Sequence, residues 1–497
     1  MEKYIKTYKA QLQKLKAYEY AIWLMGWDKE TETPIEGYAY ADQQFGVLAE
    51  AAYNLESDPA YVEAIEYLFA HIDELEDPDF KVEIRHAKKG LRIVQNVPKD
   101  EYLAYQMLVQ SSLPIWVNAK KHNDFESFAP TLEKVVDFNR KLVKYLETNE
   151  LKGYDVLLDF YEEGMGMKEY DQFFDTIKAE LVPFVQEVTQ TKLRFPKKLK
   201  EGPFEIDKQK ELANYLMEVF RYDLSKGLLK ESAHPFTSGV TSTDTRITTH
   251  YHEDDIKSSI FSVIHEMGHG IYEQQNDPKY DQTALHGGTT LGIHESQSRM
   301  FENMIGRSFA FWEVHYPKLV SLFPKQLKNI SVVDFYKFIN EAKRSLIRIE
   351  ADELTYSLHI LVRYELERAL ISGKLKVKDL PKRWNFLYGK YVGKRPQTDS
   401  EGVLQDIHWA HGSIGYFPTY ALGSACAAQI YDAMNQDINV ETAVRNNQQE
   451  LINAWLKEHI HKFASSKSAK EIMMIATGKP FDPHYYVDYL KRKFSHL

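Results

Sequence analysis

Two histidines stand four residues apart in HEMGH, residues 265–269, and a glutamate directly follows the first of them. Residues four apart in an α-helix lie on one face, so His265 and His269 can direct their imidazoles at one ion. Glu266 lies on the same broad side, where it can take a proton from a water molecule without being a ligand itself. The spacing therefore predicts a metal site with Glu266 as the general base. The alternative is a solvated helix face whose histidines pair with neighbouring acids.

A second segment with helical periodicity, HGGTTLGIHESQSRMFENM, follows at residues 286–304 and carries Glu295. We expect Glu295 to be the third ligand, because two imidazoles, one carboxylate and an open fourth position are typical of catalytic zinc. His294 and Glu302 are alternative ligands that require a different rotation of this helix. Zinc lowers the pKa of its water towards about 7, so the predicted chemistry is metal-assisted hydrolysis of an amide. Cobalt or another divalent ion also suits such ligands.

The elements that must position these residues are mostly helices. Apolar residues at helical spacing predict that the HEMGH segment is a helix with a buried stripe, capped by Asp254 or Asp255. That stripe consists of Ile256, Ile260, Val263, Ile264, Met267 and Ile271. The clearest strand signal lies just before it, at residues 239–253, and places Arg246, Thr248 and His250 on one face. These patterns predict a mainly α fold with a small β-sheet near the metal site.

The rest of the chain shows long helical patterns, no internal repeat and few breakers. A polar, lysine-rich stretch at residues 191–206 predicts a long surface loop and does not separate two regions of different composition. We therefore predict one large catalytic domain over residues 1–497, with the motifs between 234 and 420.

Composition limits the possible partners and the cellular location. The chain has 43% hydrophobic residues and a net charge of −10, which favours a folded protein with a small or neutral partner over one that binds nucleic acid. One cysteine, Cys426, excludes an internal disulfide, and no signal peptide is recognisable, so we expect a cytoplasmic protein without membrane attachment. The N-terminal apolar pattern predicts a core-facing helix, with a membrane-surface helix as the alternative. Its residues are Tyr4, Ile5, Tyr8, Leu12 and Leu15.

Four further motifs accompany HEMGH and HESQ. They are HPF at 234–236, DTRIT at 244–248, IRIEAD at 347–352 and GVLQDIHW at 402–409. Together the six motifs resemble the signature of the Taq-type metallocarboxypeptidase family. The resemblance implies a cytoplasmic, metal-dependent enzyme that removes single residues from the C-termini of peptides. It further implies a helical zincin-type domain with a deep groove, usually a homodimer, in which His265, His269 and Glu295 hold the metal and Glu266 is the base.

A carboxypeptidase must pair the terminal carboxylate of its substrate, and the rigid fork of arginine suits that role. Arg348 and Arg246 are the candidates. Each also has a structural interpretation, as an ion pair of Arg348 with Asp352 or of Arg246 with Asp244.

The remaining substrate-binding candidates lie mainly in the motifs and in the loop after GVLQDIHW. An oxyanion needs a hydrogen-bond donor, which a neutral His408 or the hydroxyl of Tyr416 or Tyr420 would provide. His234 and Gln405 are expected in the groove wall or behind it. The nearest rival functions are a helical zincin oligoendopeptidase and a dipeptidyl carboxypeptidase. A metal-containing peptide-binding protein without turnover is a rival of another class, although binding alone requires no base at Glu266.

Overall fold

Helices account for most of the molecule, as the predominance of helical patterns predicts. The computed structural model describes all 497 residues and is 68% helical. The helices before the sheet are α1 (Glu2–Thr31), α2 (Tyr38–Glu56), α3 (Pro59–Ala70), α4 (Pro78–Gly90), α5 (Arg92–Asn96), α6 (Lys99–His122), α7 (Phe125–Leu146), α8 (Tyr154–Leu158), α9 (Met167–Thr176), α10 (Val182–Val188) and α11 (Ile206–Phe220). A π-helical turn, Ile177–Leu181, joins α9 to α10. The predicted loop at 191–206 is irregular up to residue 205 except for one short 3-10 turn, Lys197–Lys200, and its last residue, Ile206, begins α11.

The helices after the sheet carry most of the motifs. They are α12 (Ile256–Gln274), α13 (Leu291–Arg299), α14 (Phe309–Leu322), α15 (Pro324–Leu327), α16 (Val332–Ile339), α17 (Tyr356–Ile371), α18 (Leu380–Tyr391), α19 (Phe417–Ile438), α20 (Val440–Arg445), α21 (Gln449–His459), α22 (Ala469–Thr477) and α23 (His484–Ser495). A second π-helical turn, Met300–Gly306, continues α13. HEMGH thus lies in the middle of a helix of 19 residues, and HESQ lies within the shorter α13.

Three short strands form the only sheet: β1 (Gly227–Glu231), β2 (Thr237–Thr241) and β3 (Asp244–Thr249). The central strand β3 is parallel to β1 and antiparallel to β2. The prediction of one strand over 239–253 was wrong, because a tight turn at Ser242 and Thr243 divides that segment between β2 and β3. His250 lies beyond the end of β3 and so does not extend the face of Arg246 and Thr248.

The hydrophobic core has one large part and one small part. The large cluster contains 105 buried residues and includes the apolar stripe of α12. A separate cluster of 11 buried residues joins α1, α3 and α4, and it contains Tyr8, Leu12 and Leu15. The prediction of a core-facing first helix is therefore confirmed. That residues 1–497 act as one catalytic domain stays a prediction. No helix is both long enough and apolar enough to cross a membrane.

Two glycines allow the motif-bearing helices to approach closely. A Cβ atom added at Gly268 of α12 would lie 2.6 Å from Cα of Ser298 in α13. One added at Gly423 of α19 would lie 2.5 Å from Cγ of Glu295. Close-packed interiors do not absorb such overlaps without shifting the backbone or the side chain. Glycine at these positions therefore fixes where α13 presents Glu295.

Gly423→Ala is expected to destabilise the protein by about 1 to 3 kcal/mol, because the added methyl group overpacks a tight helix contact. It should also weaken metal binding, since the contacted atom belongs to Glu295. Gly26→Ala in α1 is the matched control, because nothing lies within 4 Å of its added Cβ. Thermal unfolding and metal content should be measured for both variants. If Gly423→Ala unfolds at the same temperature as Gly26→Ala, α19 can move away from α13 at little cost in stability.

Candidate metal centre

His265, His269 and Glu295 direct their side chains at one another where α12 and α13 pack together. Glu295 Oε2 lies 3.8 Å from His265 Nε2 and 3.5 Å from His269 Nε2. One donor atom from each of the three residues lies within 4.8 Å of the other two. Donors about 2.1 Å from a tetrahedral ion stand roughly 3.4 Å apart, so this separation fits one small cation. The donor set of two imidazoles and one carboxylate is also one that a divalent transition metal prefers.

The surroundings keep Glu295 and His269 in the protonation states that metal binding requires. Burial opposes a charge on Glu295, but attraction by Arg299 and the contact with His269 hold its pKa well below the usual range. Arg299 Nε donates to Glu295 Oε1 at 2.6 Å, which leaves Oε2 facing the two histidines. Burial lowers the pKa of His269 to about 4. An ionised carboxylate and a neutral imidazole therefore coexist here at neutral pH.

The two alternative ligands from the sequence lie behind the histidines. His265 Nδ1 is 3.0 Å from Oε2 of Glu302, whose other oxygen accepts from Arg307 Nη2 at 2.9 Å. His269 Nδ1 is 2.6 Å from His294 Nδ1. Both alternatives thus contact the ring nitrogens that point away from Glu295. This arrangement favours Glu295 as the third ligand and assigns Glu302 and His294 to the support of the histidines.

Three charged residues around the centre were not predicted from the sequence: Glu273, Arg299 and Arg307. Glu273 Oε1 lies 2.6 Å from His294 Nε2, and it follows His269 by one helical turn. Arg299 follows Glu295 by the same interval. The i,i+4 spacing was a usable signal for both residues, since such pairs share a helix face. Arg307 lies beyond a π-helical turn, and no simple periodicity predicts its position.

Glu266 is buried beside the three candidate ligands. Its side chain accepts a hydrogen bond at Oε2 from Thr237 Oγ1 of β2, over 2.6 Å. Burial raises the pKa of Glu266, although the neighbouring His265 and the hydrogen bond from Thr237 partly offset this effect. The small sheet therefore contributes directly to the site by orienting this carboxylate. A carboxylate with raised basicity and one unbonded oxygen is suited to accepting a proton.

Arg348 lies in a buried cluster with an acid that the sequence did not single out. Its Nε donates to Asp406 Oδ1 at 2.9 Å, and its Nη1 donates to the hydroxyl of Tyr356 at 3.1 Å. Asp406 Oδ2 also accepts from Arg363 Nε at 2.7 Å. Two guanidinium groups thus share one carboxylate, so the cluster keeps one unbalanced positive charge. Arg348 Nη2 has no hydrogen-bond partner within the chain.

The alternative ion pair of Arg348 with Asp352 was wrong. Asp352 accepts hydrogen bonds from the backbone N–H groups of Lys343 and Thr355 instead. The segment Arg348–Glu350 is a short 3-10 turn that ends before Asp352, so the i,i+4 geometry of an α-helix does not apply.

Arg246 has the structural partner that the sequence offered. Its Nε and Nη2 each donate to a carboxylate oxygen of Asp244 over 2.8 Å. The guanidinium also lies over the ring of Trp23, with Cζ 4.5 Å from the ring centroid. The charge of Arg246 is therefore balanced by one acid of its own, unlike the charge of the cluster around Arg348.

The candidate donors lie in GVLQDIHW and at the start of α19, where they form one aromatic group near Arg348. His408 Nε2 lies 3.3 Å from the hydroxyl of Tyr420, and the rings of Tyr416 and Tyr420 have centroids 5.1 Å apart. Burial and the charge of Arg348 lower the pKa of His408 to about 4, so it is neutral at pH 7. Burial raises the pKa of Tyr416, and the charge of Glu295 adds to this effect. Both groups therefore remain hydrogen-bond donors at neutral pH.

The last two predicted site residues differ in their surroundings. Gln405 is buried, and its Oε1 accepts from the backbone N–H of Arg348 at 2.9 Å and from Arg363 Nη2 at 2.8 Å. Its amide therefore supports the arginine cluster, and its place in or behind a groove wall stays a prediction. His234 is exposed, and its side chain makes no hydrogen bond within the chain.

The whole chain is similar to known metallocarboxypeptidases. A family model described as carboxypeptidase Taq (M32) metallopeptidase matches residues 7–494. Carboxypeptidase 1 of Bacillus subtilis (strain 168) is 39% identical over 495 residues, which cover 99% of this chain and 98% of the relative. Thermostable carboxypeptidase 1 of Pyrococcus furiosus is 35% identical over 493 residues, with 99% and 98% covered. The crystal structure of an M32 carboxypeptidase from Deinococcus radiodurans R1 is 30% identical, has a TM-score of 0.94 and covers 99% of both chains.

Proposed function

Because this chain belongs to the carboxypeptidase Taq (M32) metallopeptidase family and is therefore a metallocarboxypeptidase that acts on peptides, we propose that it removes single residues from peptide C-termini, with Glu266 as the general base. The observation that carries the proposal is the position of the Glu266 carboxylate. It lies buried beside His265, His269 and Glu295, and Thr237 holds one of its oxygens. A protein that only bound metal would gain nothing from a second buried carboxylate there, since its desolvation costs free energy.

His265, His269 and Glu295 would hold a divalent cation, most simply Zn²⁺ and alternatively Co²⁺, which would supply polarisation of the scissile carbonyl and a lowered pKa of the attacking water. Glu266 accepts the proton of that water at Oε1, because Oε2 is engaged by Thr237. The same carboxyl group then delivers the proton to the leaving amine. Tyr416 or the neutral His408 donates a hydrogen bond to the oxyanion that forms during attack.

Arg348 is the proposed partner of the substrate's terminal carboxylate. The cluster of Arg348, Arg363 and Asp406 carries one surplus positive charge, and only Arg348 offers an unbonded Nη2 group. Arg363 is fully buried and cannot reach a substrate. Arg246 is the second candidate, and its pair with Asp244 would have to rearrange before it bound a carboxylate in two-pronged fashion.

Analysis of reaction products distinguishes single-residue release from the rival activities. The protein should shorten the peptides of a mixed library by one residue at a time from their free C-termini. A chelator should stop the reaction, because activity depends on the ion that the three ligands would hold. C-terminally amidated peptides should remain nearly intact, since they lack the charge that Arg348 would pair. Mass spectrometry of the products provides the measurement. Release of dipeptides would favour a dipeptidyl carboxypeptidase, and internal cleavage of amidated peptides would favour an oligoendopeptidase.

Three further properties are proposed from the family resemblance. They are a substrate groove lined by the six motifs, assembly as a homodimer, and a cytoplasmic location. Size-exclusion chromatography with light scattering tests the assembly directly.

A further inference from the structure

A chain of hydrogen bonds runs from the candidate ligand His269 to a buried carboxylate. His269 Nδ1 lies 2.6 Å from His294 Nδ1, and His294 Nε2 lies 2.6 Å from Glu273 Oε1. Glu273 is on α12, one turn after His269, whereas His294 is on α13, directly before Glu295. The bridge therefore connects the two helices that supply the ligands. Glu273 is linked to the ring of His269 only through the imidazole of His294.

The order of donors and acceptors in this chain follows from the use of His269 as a ligand. When Nε2 of His269 binds a metal through its lone pair, the proton of the neutral ring resides on Nδ1. That N–H donates to His294 Nδ1, which must then be an acceptor. The proton of the neutral His294 consequently lies on Nε2, from which it donates to Glu273 Oε1. Every nitrogen in the chain is used once, and the charge of Glu273 polarises the ring of His269 through the bridge.

Glu273 differs from the acid that supports the other ligand. Glu302 contacts His265 directly, and Arg299 and Arg307 pair with it, so its charge is largely balanced. Glu273 has no arginine or lysine within ion-pair distance. Its Oε1 also accepts from the backbone N–H of Gly288 at 3.2 Å, and its buried Oε2 has no hydrogen-bond partner. His294 is thus the only side chain that hydrogen-bonds to Glu273, and His286 is a second imidazole close enough to interact with its charge.

We propose that His294 and Glu273 are positioning residues that act in series to fix His269 and to strengthen its bond to the metal. The proposal rests on the ligand set given under the proposed function. Neither residue touches substrate or metal. Carboxylate support of a ligating histidine typically changes metal affinity by about 10- to 100-fold. An effect of that size is expected when either link of the chain is cut.

Two conservative variants cut the chain at different points. His294→Asn places an amide oxygen where Nδ1 stood, so the bond from His269 is kept while the contact to Glu273 is lost. Glu273→Gln keeps the shape of the side chain and removes its charge. Each variant is expected to raise the dissociation constant for Zn²⁺ by about 10-fold or more, measured by competition with a chelator. His294→Asn alone leaves the buried charge of Glu273 without its partner, which could destabilise the fold. The double variant removes that charge and so separates an effect on metal binding from an effect on folding.

The decisive comparison is the double-mutant cycle. If the two residues act in series, Glu273→Gln should have no further effect once His294 is asparagine, so the double variant should match His294→Asn alone. Multiplicative effects would overturn the proposal, because Glu273 would then act independently of the bridge. His315→Asn is the control for loss of a buried histidine, since His315 bonds to Tyr215 away from the centre. It should bind Zn²⁺ as wild type does.

Failure of the inference can be separated from failure of the proposed ligand set. Wild-type protein should bind one Zn²⁺ tightly, and His265→Ala should abolish that binding. If wild type binds the ion but the His294 and Glu273 variants bind it equally well, only the series mechanism is wrong. If His265→Ala still binds the ion tightly, the ligand set is wrong and the inference falls with it.

Discussion

Glu266→Gln is expected to lower turnover of a free-acid peptide by about 10²- to 10⁴-fold while the protein keeps its metal. The amide retains the size of the side chain and can still accept the hydrogen bond from Thr237, but it cannot take a proton from water. All three candidate ligands remain in place, so metal content should equal that of wild type. The measurement is kcat on one peptide beside metal analysis of the same preparation. Near-normal turnover with full metal content would falsify Glu266 as the base.

Glu295→Gln provides the matched comparison, because it makes the same chemical change at the other buried carboxylate of the centre. The charge of Glu295 is required to hold the ion, so this variant should lose metal as well as activity. Added metal should restore part of its activity and none of the activity of Glu266→Gln. A Glu295→Gln variant that retains one tightly bound ion would transfer the third ligand to another residue, with Glu302 as the first candidate.

Local periodicity explains why the core of the site was predictable from the sequence. The helical repeat alone places His265 and His269 on one face, and the capping side chain of Asp255 marks where that helix begins. The position of Glu295 followed from chemistry, since two imidazoles need a carboxylate to complete a catalytic donor set. The mainly helical fold and the family were likewise predictable, and both are confirmed.

Contacts between distant segments explain what the sequence did not predict. Asp406 lies 58 residues after Arg348, so only the folded chain brings it closer than the nearby Asp352. The bridge from His269 to Glu273 exists because the approach of α12 and α13 places His294 between them, and Gly268 permits that approach. The division of 239–253 into two strands was not predicted because its turn residues, Ser242 and Thr243, favour turns only weakly, and neither is glycine, proline or asparagine.

Arg348→Ala is expected to retain metal and fold while losing much of kcat/KM for free-acid peptides, on the order of 2 to 5 kcal/mol. The reason is that the substrate's carboxylate would enter the partly buried arginine cluster without its partner. Cleavage of an amidated peptide, which is already poor, should hardly change. Arg348→Lys should restore activity only in part, because an ammonium group cannot make the two-pronged contact of a guanidinium. Rates on both substrates, for wild type and each variant, form a double cycle.

Arg348 also has a structural role that would explain a loss of activity, because it holds Asp406 and Tyr356 in place. Arg363 separates the two roles. It binds the same carboxylate of Asp406 but is fully buried, so Arg363→Lys can act only by disturbing the cluster. That variant should reduce activity on acid and amide substrates by the same factor, whereas Arg348→Ala should reduce activity on the acid alone. If Arg348→Ala loses the same factor of activity on acid and amide substrates, Arg348 is a structural residue like Arg363. The partner of the substrate's terminal carboxylate should then be sought at Arg246, which would first have to separate from Asp244.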